Sequence, residues 1–170
     1  MTFSFDLLQW LFPIVLTAHN VEEAATQPVF TTRHASRLRW KVGAGEFRFA
    51  IAVVTVAGWA VTYLSWRSGR ESVWSYLLFG CVVAMLANVL VPHVPAAFVF
   101  RAYVPGLVTA VLLNLPVTWL LASRAVREGW VSGRKAALFG VGVPLGIAAL
   151  IPGLFALWRT GRAMRRGRDS

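Results

Sequence analysis

The residues most able to do chemistry stand within five positions of one another: His19, Glu22 and Glu23, in the stretch LFPIVLTAHNVEEAA. The surrounding chain reads as lipid-soluble helix, where an ionisable side chain costs about 2.5 kcal/mol or more. On a helix His19 lies one turn from both glutamates, which themselves diverge by about 100°. Either carboxylate can therefore share an ion or a proton with the imidazole. Further along stand Glu46, Asn88, His93, Arg101, Tyr103 and Asn114.

Imidazole and carboxylate are the ligands a divalent metal such as zinc takes, with three protein ligands and an open fourth position in catalytic sites. His19, Glu22 and His93 form such a set, similar to that of zinc carboxypeptidases, with zinc the favoured ion and iron the second choice. Glu23 or Glu46 is then free as a general base. Tyr103 or Arg101 can steady a developing oxyanion, and Asn88 and Asn114 are candidate substrate contacts. The soluble His-Glu-x-x-His pattern is absent, and its inverted form is not met, because Glu23 stands where the last histidine belongs.

The elements that position these groups follow from hydropathy. Of 170 residues 57% are hydrophobic and 14% charged, and several apolar runs reach the length of about twenty residues that crosses a bilayer. The expectation is an all-α, polytopic membrane bundle of about five helices forming a single domain, with no soluble part. The expected spans are about 3–25, kinked near Pro13 and closed by Gln27-Pro28, then 46–66, 73–91, 105–123 and 136–158. A basic tail, 159–170, follows. The net charge of +10 lies between and after the apolar runs, which makes it a topology determinant and argues against nucleic acid. Lys and Arg are more numerous in 27–48, at Arg101 and in the tail than in the opposite connections. That places the N-terminus outside and the C-terminus in the cytosol of a plasma (cytoplasmic) membrane. The first run lacks a basic leader and reads as a retained span.

In an alternating bundle, the end of span one, the start of span two, the end of span three and the start of span four share a membrane face. His19-Glu22-Glu23, Glu46, Asn88 with His93, and Arg101 with Tyr103 stand at those places. At 1.5 Å per residue from Phe3, His19 lies roughly 24 Å into its span, in the inner leaflet.

The chain resembles the HXXEE-domain membrane proteins. The resemblance rests on His19-Asn20-Val21-Glu22-Glu23, on His93 downstream and on Tyr103-Val104-Pro105-Gly106, in that order. It implies an integral membrane protein without an assigned activity, for which metalloprotease chemistry has been suggested.

Other features read as structure. Glu46 also suits a first helical turn, with Arg48 near enough to pair. Pro105 fits the first turn of span four. Gly142-x-x-x-Gly146 reads as close helix packing, and Trp66, Trp74, Trp130 and Trp158 as an interfacial belt. His34 reads as a solvated or headgroup-facing residue of a basic loop. The leading functional expectation is a metal-dependent hydrolase acting on a hydrophobic small molecule or membrane peptide, with the lipid bilayer as its surroundings. A metal-free acid/base isomerase or cyclase on an isoprenoid or other lipid comes second, with tryptophans such as Trp10, Trp59 and Trp119 as faces for a cation. A proton- or cation-coupled transporter comes third, and polar groups that only join helices are the structural alternative.

Overall fold

The computed structural model describes residues 4–38 and 42–166. Phe3, Arg39, Lys41 and Arg168, which entered the span and charge expectations, lie outside them. Among the described residues every regular element is helical: α1 (Phe5–Leu8), α2 (Leu11–Arg33), α3 (Ala44–Ser68), α4 (Val73–Asn88), α5 (Val94–Phe100), α6 (Leu107–Thr109), α7 (Leu115–Arg127) and α8 (Gly133–Arg166). Two wide-turn π segments, Val89–His93 and Ala110–Asn114, join α4 to α5 and α6 to α7. Among the described residues four stretches are long and apolar enough to cross a membrane: Ala44–Ser68, Val73–Phe100, Leu107–Arg127 and Gly133–Arg165.

The first expected span differs from these four. Its helix carries His19, Asn20, Glu22 and Glu23 and falls short of their apolarity. It is not kinked at Pro13, which sits in the first turn of α2, where a missing amide costs nothing. The break comes earlier, at Gln9 and Trp10. Nor does it close at Gln27-Pro28: the helix runs through Pro28 to Arg33. Pro28 cannot bond the carbonyl of Ala24, and Arg48 of α3 takes that place, its Nε and Nη2 each donating to Ala24 O at 3.4 Å. Arg48 is thus engaged by α2 and does not pair with Glu46.

Helices α3 and α4 are central, with α2 against α3, α7 against α4 and α8 against both. The close approaches are made at glycines. A Cβ on Gly58 would fall 2.5 Å from Leu16 Cδ2, and one on Gly80 would fall 2.6 Å from Val143 Cβ. Gly80 therefore brings α4 and α8 together. Gly142 and Gly146, expected to do so, have no neighbour within 4 Å of where a Cβ would stand. The core holds Phe5, Phe12, Leu16, Tyr76, Leu78, Val82, Leu121 and Trp130. Trp130 packs on Phe5, with ring centroids 5.1 Å apart, and is core rather than belt. At the opposite end of the bundle Glu46 is buried and receives Arg159 of α8, Nε to Oε2 at 2.5 Å and Nη2 to Oε1 at 3.0 Å. Two helix ends are thereby tied by a charge-assisted, bidentate contact.

Candidate metal centre

Three elements deliver the candidate site. Helix α2 has His19 and Glu23 at i and i+4, on one face. The π segment after α4 delivers His93, because Val91 is extended (φ −149°, ψ 112°), as suits a residue preceding proline. The chain turns there and carries His93 back over Asn88. The third element is the turn Tyr103–Gly106 with α6. Gly106 has φ +78°, and a Cβ on it would lie 2.6 Å from His19 Cε1, 2.8 Å from Glu23 Cγ and 3.1 Å from His93 Cε1. Only glycine satisfies both the left-handed backbone and that approach. The expectation that Pro105 occupies the first turn is thus corrected: Pro105 precedes Gly106, which caps α6, and the broken backbone lines the polar cluster.

Both histidines are buried, and they meet edge to face with ring centroids 4.9 Å apart. Glu23 Oε1 stands 3.4 Å from His93 Nε2 and 3.6 Å from His19 Nε2. One ligand atom from each of the three residues lies within 4.8 Å of the others. For tetrahedral zinc with bonds of roughly 2.0–2.1 Å, ligand atoms are separated by about 3.3 Å. Asn88 Nδ2 lies 3.0 Å from His93 Nε2 and 3.4 Å from His19 Nε2, so both imidazoles and the amide converge on one point.

Thr109 links the turn at Gly106 to His19. The Thr109 hydroxyl donates to the carbonyl of Gly106 at 3.2 Å. Its oxygen also lies 3.0 Å from His19 Nδ1. His19 Nε2 faces Glu23 and Asn88. Where Nε2 is the unprotonated nitrogen, its lone pair faces a carboxylate oxygen, an electrostatically unfavourable arrangement unless a proton or a cation stands between them.

Glu22 has a different task from the ligand expected of it. It accepts from the amides of Thr109, 2.8 Å, and Val108, 3.3 Å, and from the Tyr103 hydroxyl. It clasps the first turn of α6 to α2. The 100° between adjacent helical residues decides this division: Glu23 faces the histidines, and Glu22 faces α6. Burial first, and then Glu22, push the Tyr103 phenol up to about 12. It stays protonated at neutral pH, and its proton is committed to Glu22, not to an oxyanion.

The remaining candidates stand apart. Glu46 is engaged by Arg159 and by the amide of Gly43, 2.5 Å, and makes no contact with the histidines among the described residues. Membrane depth brought it to the same face, but its side chain turns toward α8. Arg101 is exposed, in a left-handed conformation (φ 48°) after α5, with no ion pair among the described residues. Asn114 is fully buried, and its Nδ2 faces Met85 Sδ at 3.4 Å, between α7 and α4. Trp10 packs on Trp59 and Trp66, with centroids 6.4 and 6.0 Å apart, and Trp59 donates to Thr17 at 3.1 Å. Among the described residues no tryptophan contact with the histidines is found. His34, expected to face solvent or headgroups, is half-buried at the end of α2 with its ring against Phe30 and Phe100. Thr109 went unnoticed in the sequence; its signal was a hydroxyl one helical turn beyond Gly106 in an otherwise apolar run.

The profile of a family described as "Protein of unknown function with HXXEE motif" matches residues 10–121. That range holds both histidines, both glutamates of the motif, Gly106 and Thr109. The chain belongs to the HXXEE family. It is also 28% identical, over 144 residues, to "Uncharacterized protein YrkK" of Bacillus subtilis (strain 168), covering 85% of this chain and 90% of that protein. No solved structure matches.

Proposed function

We propose that this HXXEE protein is a membrane-embedded, metal-dependent hydrolase acting on a lipophilic or membrane-resident substrate, with a divalent cation held by His19, Glu23 and His93. The observation that carries the reading is the convergence of three ligand atoms within 4.8 Å from two separate parts of the chain. The donor set, two imidazoles and a carboxylate, suits zinc first and iron second. Such a cation supplies Lewis acidity toward a carbonyl or a water.

The chain's own groups divide the remaining work. Glu23 has a second carboxylate oxygen that can take a proton from water. Asn88, between the imidazoles, is placed to donate to a substrate oxygen. Gly106 and the buried rings exclude bulk water from one side. Glu22 and Tyr103 hold α6 in place and touch no reacting atom.

A metal-free acid/base catalyst is the second reading, favoured by Asn88 Nδ2 lying within hydrogen-bond distance of both Nε2 atoms. The tryptophan faces invoked for a cationic intermediate lend it no support, since Trp10 and Trp59 pack on each other and Trp119 is exposed. We place the protein in the cytoplasmic membrane, N-terminus outside and C-terminus in the cytosol.

Elemental analysis of protein purified in detergent tests the reading. A near-stoichiometric divalent metal is expected in the wild type and in Glu22→Gln, and its loss in His19→Ala, His93→Ala and Glu23→Gln. Absence of metal after zinc or iron supplementation would overturn the reading and promote acid/base chemistry.

A further inference from the structure

We infer that Thr109 is a positioning residue that sets the tautomer of His19, and that Glu22 holds Thr109 in place to do so. The inference deepens the proposed function, since it concerns the lone pair His19 would offer a metal, but the tautomer itself exists with or without one.

Thr109 makes two contacts through one hydroxyl: it donates to Gly106 O at 3.2 Å, and its oxygen faces His19 Nδ1 at 3.0 Å. With its hydrogen on the carbonyl, as the proposed tautomer requires, the oxygen accepts from the imidazole. Imidazoles that ligate metals depend on such an outer partner, whose removal typically weakens binding about 10- to 100-fold. Here the partner is uncharged, so it chooses the tautomer without adding negative charge to a buried site. Its backbone is fixed by the carboxylate of Glu22, 2.8 Å from the Thr109 amide. The two adjacent glutamates of the motif thus act at two distances, Glu23 on the centre and Glu22 on the residue that orients His19.

Without the hydroxyl, Nδ1 loses its acceptor at 3.0 Å, and the balance is expected to move toward the other tautomer. A proton on Nε2 would then point at Glu23 Oε1, 3.6 Å away, and would block the lone pair. Valine at 109 keeps the shape and removes the acceptor; serine restores it.

The test is nitrogen-15 NMR of histidine-labelled protein in detergent near pH 8, with His19 assigned from His19→Ala, alongside zinc affinity by chelator competition. The wild type and Thr109→Ser are expected to show an unprotonated Nε2, and Thr109→Val an unprotonated Nδ1 with zinc binding weakened about 10- to 100-fold. Glu22→Gln is expected to show a mixture of the two tautomers. A protonated Nε2 in the wild type, or an unchanged tautomer in Thr109→Val, overturns the inference. Should the wild type bind no zinc, the metal reading fails while the nitrogen spectra still decide the role of Thr109. Should Thr109→Val not fold, the wild-type spectrum and that of Glu22→Gln carry the decision.

Discussion

At the residue scale, the chemistry depends on which of two neighbouring glutamates faces the histidines. Spacing alone left both open, since each lies one turn from His19; the position of α6 separates them, and α6 is placed by the turn at Gly106. Gly106→Ala is therefore expected to damage the centre more than its size suggests. Left-handed backbone costs a non-glycine residue about 1–2 kcal/mol, and the new methyl would meet His19 Cε1, Glu23 Cγ and His93 Cε1. Lower thermal stability together with lost metal binding is the expected outcome, read by unfolding scans and metal titration. Unchanged binding would show that the turn does not seat on the cluster. Histidines and glutamates announce themselves in an apolar chain by their cost. Thr109 does not, because a hydroxyl is cheap in a helix, where it can bond a carbonyl one turn back. That is why the motif residues were legible and their orienting partner was not.

At the element scale, the apolar runs carried α3, α4, α7 and α8, whereas the irregular pieces carried the surprises. Prolines were the least legible signals. Pro28 was expected to end a helix and does not, because Arg48 satisfies the freed carbonyl. The chain does turn at Val91, ahead of Pro92, and the turn presents His93. Pro116 has no amide to offer Leu112, and the wide turn Ala110–Asn114 lies just before it, closed by Thr118 donating to Asn114 O at 2.6 Å. Wide turns of this kind gather at functional sites, and both of them here adjoin the centre. The Glu46–Arg159 contact also escaped the sequence, since the partners are 113 positions apart. Removing one side of it leaves the other unpaired. Arg159→Met leaves the Glu46 carboxylate unpaired and is expected to lower the unfolding temperature, though less than loss of a fully buried pair would, because Arg159 is itself 60% exposed. Glu46→Gln is expected to cost less. Thermal unfolding in detergent checks both, and neither variant should alter metal binding; a loss of metal in Glu46→Gln would return Glu46 to the site.

At the scale of the whole molecule, a bundle with so little apolar cover on its outer helices is built for lipid. Leu138, Val141 and Leu145 of α8 are all more than 60% exposed, and hydrocarbon rather than protein is their natural neighbour. The polar centre lies beyond Asn88, the end of a 16-residue α4, about 24 Å along the helix from its start. It lies toward the end of the bundle that also receives Glu46 and Arg159. In the proposed orientation that end faces the cytosol. Reporter fusions check the assignment: a C-terminal fluorescent fusion is expected to be active in the cytosol, and a phosphatase fusion in the connection 69–72 is expected to be active outside. The reverse pattern would invert the protein and turn its centre toward the exterior leaflet.

The most direct measurement of the central claim is the metal content of purified wild-type protein beside Glu22→Gln and Glu23→Gln, all supplied with zinc or iron and all shown to be folded. The expected result is about one divalent ion per chain in the wild type and in Glu22→Gln, and none in Glu23→Gln. Metal retained in Glu23→Gln and lost in Glu22→Gln, or absent from all three, would contradict a centre built by His19, Glu23 and His93.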